Sequence, residues 1–433
     1  MHNRWLHGWS ISLVWLLTGS LLAIAQGTIV SEGVTVVGAD AWHIAGYRGA
    51  GTRVAIWDAG FAAYELYLGS ELPGRARLTT KALGMESTAD APLGISAHGT
   101  AVAELVHDFA PEAEFFLLAT GESVDYDDVL AELLAWEPDV VLAMVFGGVA
   151  CFEAGASDYE SVLQGLWERG ILVVGPAGND GESHWTGTFV DANGDAFHDF
   201  RDYDEEMSIA VYQGDSLHLR LYWDDPCVTG GGYELLLLDR WMSPLASSVV
   251  TDEHFPGVAS IDLEGLPTGT YFLKIHKEPG APPAQLSIHW INGRRLEYSV
   301  QAGSVGRLLP GSSRYALTVG AINWFTRWLE PYSAQGPTRD GRIKPDLVGP
   351  TYVQTALTGP AFELRGRWIG GFDGTSPAAA QVAGVALLVW QRFPDFTRDD
   401  VVDYLEVHAA DLGASGKDNE YGAGLVTLPP VED

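Results

Sequence analysis

Residues 139–146 read DVVLAMVF. After Asp139 the run carries no polar alternation, so a strand here must have apolar neighbours on both faces. Strands of that kind belong to parallel sheets covered by helices on either side. Similar runs occur outward in both directions: GTRVAIW at 51–57, EFFLLA at 114–119, ILVVG at 171–175 and ALTVGAI at 316–322. Helical stretches fall between them, at 98–108 (HGTAVAELVHD), 126–136 and 159–169. Two more follow near 377–393 and 398–408, the last with Thr397 as N-cap and Asp399 and Asp400 in its first turn. The predicted fold class is α/β, a parallel sheet with helices on both faces.

The pattern is interrupted after about Glu182. Residues 209–223, 233–239, 258–263, 270–276 and 285–291 are short runs, several with period-two alternation, separated by Gly- and Pro-rich turns. That pattern predicts an all-β sandwich or jelly roll inserted into the α/β unit. The expected organisation is an export signal at 1–25, a first α/β part at 26–181, the β module at 182–302 and a second α/β part at 303–433. No repeat of solenoid period is present.

The chain has 433 residues, of which 47% are apolar and 19% charged. This is ample material for a large core, at roughly 150 residues per domain. Its formal net charge is −32. A surface this acidic is repelled by phosphate backbones and anionic membranes, so nucleic-acid binding is excluded first. Two cysteines, Cys151 and Cys227, are too few for a disulfide scaffold; one bridge or two free thiols both remain open. At the N-terminus, Arg4 precedes the apolar run Ile11 to Ala25, which ends in Ala23-Ile24-Ala25. The run falls short of the roughly 20 residues that span a bilayer and has the form of a cleavable signal. Secretion is expected, with no membrane attachment after cleavage.

Three polar residues stand at element edges: Asp58 ends a strand, while His98 and Ser376 open helices. In open α/β sheets such positions gather at the C-terminal ends of the strands. A serine hydroxyl needs a neighbouring imidazole to take its proton. The imidazole needs a carboxylate to fix its tautomer. Asn179, in the turn VVGPAGNDG, offers an amide for a developing oxyanion, and the Ser376 N–H at a helix start offers a second donor. Taken singly, each residue also fits a cap, turn or core role; together they fit acyl transfer. No HExxH, G-x-S-x-G or P-loop motif competes.

The segments GTRVAIWDAGF, SAHGTAVAELV, VVGPAGNDG, YSAQGPTRDGRIKPDLVGP and FDGTSPAAAQVAGVALLVW resemble the successive signature blocks of subtilisin-like serine proteases, the subtilase family. The resemblance covers about residues 33–181 and 303–428. The order Asp, His, Ser is that of the family. It implies Asp58 as orienting carboxylate, His98 as general base and acid, Ser376 as nucleophile and Asn179 as oxyanion donor. It also implies that Phe146, Gly147 and Gly148, with Ala177 and Gly178, line the substrate strand. Polypeptide substrates, a monomeric enzyme and no cofactor for the chemistry follow as expectations.

Some features depart from the family pattern. Ala380 stands where a proline is usual after the serine. The stretch HDFA at 107–110 leaves no room for the family's calcium loop. A folding-assistant propeptide has no counterpart between the expected cleavage point and the catalytic blocks. Within the insert, Asp191, Asn193, Asp195, Asp199 and Asp202 occupy positions of a calcium-loop template, with Ala196 where glycine is wanted. Calcium there is a second expectation, weighed against a plain acidic turn. The rival from another class is a retired protease scaffold acting as an extracellular binding protein.

Overall fold

The computed structural model describes residues 28–85, 93–121, 123–145, 147–148, 158–223, 232–248, 258–291, 293–306, 308–364 and 367–431. The expected signal at 1–25, Phe146, Cys151 and Cys227 lie outside the described residues.

In chain order, the first part comprises α1 (Glu32–Val36), α2 (Ala39–Ile44), β1 (Arg53–Asp58), β2 (Leu78–Leu83), α3 (His98–Phe109), β3 (Glu114–Thr120), α4 (Tyr126–Trp136), β4 (Val140–Ala143), β5 (Gly147–Gly148), α5 (Asp158–Trp167) and β6 (Leu172–Pro176). The interruption contributes β7 (His184–Thr188), β8 (Met207–Val211), β9 (Leu217–Trp223), β10 (Tyr233–Leu238), β11 (Pro244–Ser248), β12 (Val258–Leu263), β13 (Gly269–Lys277) and β14 (Gln285–Trp290). The chain then forms β15 (Leu308–Leu309), β16 (Leu317–Asn323), β17 (Leu347–Thr351), β18 (Ala361–Leu364), β19 (Arg367–Gly370), α6 (Thr375–Arg392) and α7 (Arg398–Val407).

Seven strands form one sheet in the order β17-β16-β6-β4-β1-β3-β2. Every neighbouring pair in it is parallel. Alternate residues of each strand feed two cores. Val54 and Ile56, Phe115 and Leu117, and Val140 and Leu142 join α3 and α6 on one face. Ala55 and Trp57, Phe116 and Leu118, and Val141 and Ala143 join α4 and α5 on the other. This double burial is why the strands lack polar alternation.

Two four-stranded antiparallel sheets, β11-β10-β13-β8 and β12-β9-β14-β7, share a separate core that includes Trp185, Leu219, Leu235, Ile275 and Trp290. This is the sandwich expected from the alternation. The run at 209–223 is two strands, not one. The chain turns at Tyr212–Ser216, where Gly214 has φ 93° and the Asp215 carboxylate accepts the Tyr212 N–H at 2.8 Å. Both ends of the interruption are tied to one loop of the α/β unit. Gly181 N–H donates to the Tyr332 carbonyl at 2.8 Å, and Gly303 N–H to the Gly336 carbonyl at 2.8 Å.

Small residues set the approach of α6. A Cβ on Gly384 would stand 2.5 Å from the Phe109 Cβ of α3, and one on Gly349 of β17 would stand 2.7 Å from the Ala378 carbonyl oxygen. Ala380 is fully buried within the helix, which tolerates the missing proline. Thr397 caps α7 in a full capping box with Asp400.

Helix α3 passes to β3 over residues 110–113, as the short HDFA stretch requires. Nearby carboxylates hold the segment before α1. Ser31 N–H donates to Asp108 Oδ2 at 2.8 Å, and Ile29 N–H to Glu71 Oε2 at 3.1 Å. Burial, with Glu71, Glu104 and Glu32 adding repulsion, raises Asp108 to about 8 against the opposing Ser31 hydrogen bond. Burial likewise raises Glu104 to about 7.

Both groups hold protons in the fold that the unfolded chain releases near pH 4. Their contribution is therefore complete below about pH 4 and is lost as pH rises towards 8. Asp108→Asn keeps an acceptor for Ser31 without the titration. Its melting temperature should match that of the parent below about pH 4 and exceed it by about 2 °C or more at pH 9. A thermal melt at the two pH values checks this; equal temperatures at pH 9 would contradict it.

Candidate active site

Strand β1 delivers Asp58 as its last residue, buried to 1% exposure. The next turn secures one carboxylate oxygen: Gly60 N–H donates to Asp58 Oδ1 at 3.3 Å. The other, Oδ2, faces His98 Nδ1 at 2.6 Å. His98 is the first residue of α3, and its backbone N–H meets Ser96 Oγ at 3.3 Å. Gly99 lets the helix start press against the β1 loop, since a Cβ there would lie 2.6 Å from the Gly60 carbonyl oxygen. Burial disfavours a charge on His98, but the hydrogen bond and negative charge of Asp58 outweigh it, and the imidazole titrates above its ordinary value.

Asn179 follows β6, which ends at Pro176. Its Oδ1 accepts the Thr375 N–H at 2.9 Å and the Thr375 hydroxyl at 3.0 Å. With the carbonyl oxygen so held, the amide's other end, Nδ2, keeps its donors for a partner. Gly178 N–H donates to Thr375 Oγ1 at 3.2 Å. Gly374, at φ 109°, takes a backbone turn closed to other residues, and its N–H donates to the Tyr332 hydroxyl at 3.0 Å.

Ser376, buried to 4% exposure, is the second residue of α6. It comes one residue after Thr375, which Asn179 grips, and four after Phe372, whose ring meets the His98 imidazole edge-on with centroids 5.5 Å apart. The four residues singled out in the sequence are thus linked in two pairs, Asp58 with His98 and Asn179 with the start of α6. Phe372 and the α3–α6 contact bring those pairs to one place.

Of the expected substrate-lining residues, Gly147 and Gly148 form β5, antiparallel to Leu308–Leu309 of β15. Among the described residues no second strand pairs with β5. Ala177 and Gly178 are buried beside the α6 start, with Ala177 N–H bonded to Val319 of β16.

The expected calcium ligands do not converge. Asp191 spends both oxygens on backbone N–H groups, Oδ1 on Gly194 at 2.7 Å and Asp195 at 3.2 Å, Oδ2 on Ala196 at 3.0 Å. Asn193 Oδ1 and Asp195 Oδ1 likewise accept from residues two further on. Asp199 accepts from Ala192 N–H at 2.7 Å, and Asp202 is exposed. Among the described residues, no group of three or more His, Cys, Asp or Glu side chains is placed to hold a metal ion. Within the stretch, Asp191, Asn193 and Asp195 spend side-chain oxygens on the backbone N–H groups of the turn.

Thr375, Tyr332 and Phe372 were not singled out from the sequence. All three lie inside the quoted blocks that begin FDGTS and YSAQGP, but the roles of Thr375 and Tyr332 as holders of Asn179 and Gly374, and the contact of Phe372 with His98, depend on contacts across the fold.

Residues 293–424 match the model of the subtilase family. That segment includes Ser376; Asp58, His98 and Asn179 precede it. Over 131 residues the chain is 31% identical to Serine protease AprX of Bacillus subtilis, covering 27% of this chain and 29% of that protein. It is 44% identical over 59 residues to an Extracellular serine protease of Serratia marcescens, covering 14% of this chain and 6% of that one. The chain thus spans less than a third of the length of these curated relatives. The CspB protease of Clostridium perfringens shares its fold at a TM-score of 0.61 and 16% identity, over 92% of this chain and 97% of that one. The segment around Ser376 is thus similar to the subtilase family, and nearly the whole molecule shares the fold of a solved protease structure.

Proposed function

We propose that the chain is a secreted serine endopeptidase. The observation that carries the reading is the 2.6 Å contact between Asp58 and His98 Nδ1, with Phe372, four residues before Ser376, against the imidazole and the Ser376 helix start held by Asn179. With Nδ1–H given to Asp58, His98 Nε2 is the nitrogen with a lone pair for the Ser376 proton. Ser376 Oγ attacks the scissile carbonyl carbon while His98 takes that proton. Asn179 Nδ2 and the Ser376 N–H receive the oxyanion. The C–N bond then breaks as His98 returns the proton to the leaving nitrogen, leaving an acyl-enzyme. Water, deprotonated by His98, cleaves the ester and restores Ser376.

None of these steps needs a cofactor. The free edge of β5 suits strand addition by the residues before the scissile bond, with Ala177 and Gly178 beside them. Polypeptides are the substrates, and a single copy of the chain contains every group named. Export is supported by the apolar run at 11–25 and by the extracellular relative. Among the described residues no helix is long and apolar enough to cross a membrane.

The test is labelling of purified protein with a fluorophosphonate probe, with Ser376→Ala alongside. Labelling of the parent and its loss in the variant is the expected result. A folded parent that does not label would favour the binding-scaffold reading instead.

A further inference from the structure

We infer that an aromatic ledge beside the catalytic groups binds the substrate residues that follow the scissile bond and selects for aromatic or large apolar side chains there. This rests on the protease reading and adds a substrate class to it.

The argument begins with the direction of the chain. His98 returns its proton to the leaving amine, so the polypeptide after the scissile bond departs on the His98 side of Ser376. The ring on that side is Phe372, against His98. The Phe372 backbone exchanges both hydrogen bonds with Val353, at 2.7 and 3.3 Å. The neighbouring Tyr352 ring meets Trp368 with centroids 6.3 Å apart. Trp368 in turn meets Trp324 and Phe325, each at 5.9 Å. The rings of Tyr352, Trp368, Trp324 and Phe325 thus form one cluster, tied through the Val353 backbone to Phe372 beside the catalytic imidazole.

The outer end of this cluster is open. Phe325 is 67% exposed, and Trp328 in the same turn is 77% exposed. An aromatic surface left uncovered on a soluble fold marks a binding surface. The backbone beneath it is also held out of its preferred state. Arg327 (φ 65°) and Tyr352 (φ 59°) both take the left-handed region that non-glycine residues avoid. One lies in the turn carrying Phe325; the other carries the ring that meets Trp368 and precedes Val353, the backbone partner of Phe372. The occupant that fits is the downstream part of the substrate, because the Val353 backbone ties the ledge to Phe372, the ring that meets His98.

The test uses Phe325→Ala and Trp368→Ala in two assays. The first compares a peptidyl anilide, which has no residues after the scissile bond, with peptides carrying phenylalanine or glycine at the second to fourth positions after it. The parent should cleave the phenylalanine peptides with kcat/KM tenfold or more above the glycine ones. Both variants should lose that preference while hydrolysing the anilide at the parental rate. The second assay measures binding of the same peptides to Ser376→Ala by calorimetry, with and without each ledge substitution, and reads the ledge without turnover.

Absence of a preference in the parent, or its survival in both variants, would overturn the proposal. So would self-association of the parent in sedimentation that either substitution abolishes, since the ledge would then be covered by a second copy. Failure of the protease reading looks different: neither anilide nor peptide is cleaved and the folded parent does not label, while calorimetry still reports on the ledge.

Discussion

His98→Ala should lower kcat on a peptidyl anilide by about a millionfold. The imidazole is the side chain paired with Asp58, and in the proposed mechanism it is the base that takes the Ser376 proton. Without it the serine remains a neutral alcohol. The residual rate, still about 10³ above the uncatalysed reaction, would come from Asn179 and from holding the substrate. The loss should not add to that of Ser376→Ala. The two residues act as one unit, so the double variant should sit at the same floor as either single one. Single-turnover kinetics of the three proteins checks this. A double variant slower than both singles by a further large factor would mean that the two residues work independently, against the mechanism proposed.

Asp58→Asn should lower kcat by about 10⁴ while leaving KM within a small factor. The amide is nearly isosteric, and its Oδ1 can still accept the Gly60 N–H. Its amide nitrogen, however, donates towards His98 Nδ1, which turns the ring to the tautomer with a proton on Nε2. That nitrogen can no longer accept from Ser376. The pH profile carries an independent signature. In the parent, burial lowers the His98 pKa and Asp58 more than restores it, so the net shift is upward. Activity needs neutral His98, so the acid limb of kcat/KM should lie above about pH 6.5, the ordinary histidine value. In the variant only burial remains, and the limb should move to lower pH. An unchanged limb would remove Asp58 from its assigned role.

The sequence made the site's four groups legible because each is marked by its position at an element edge. Asp58 ends an apolar run, and His98 and Ser376 begin helices whose small residues betray close contact. What it left hidden has physical reasons. Strand β17 reads LVGPT, and an internal proline argues against a strand. It is nonetheless an edge strand of the seven, where the missing Pro350 N–H costs no ladder bond, and Gly349 is the residue that admits α6. Strand β2, LTTKAL, is half exposed at the opposite edge and has no apolar run to announce it. The acidic turn at 191–202 matched a ligand template because one short set of Asp and Asn side chains can serve a cation or its own backbone. In the structure the Asp191, Asn193 and Asp195 oxygens accept from their own backbone, which residue type and spacing alone do not reveal.

The interrupting sandwich also bears on how the molecule assembles. Its entry and exit, at Gly181 and Gly303, are tied to the one loop that carries Tyr332 and Gly336. Strand β6 must pair with β16, Leu317 against Val174, across about 140 intervening residues, a separation whose closure entropy would slow folding of an open chain. If the sandwich folds first, its two adjoining ends shorten that loop to the stretches from Val174 to Gly181 and from Gly303 to Leu317. The insert then acts as a clasp in time as well as in space. The central sheet would then close over a shorter loop, and Asn179, two residues before the entry point, would be set in the same event.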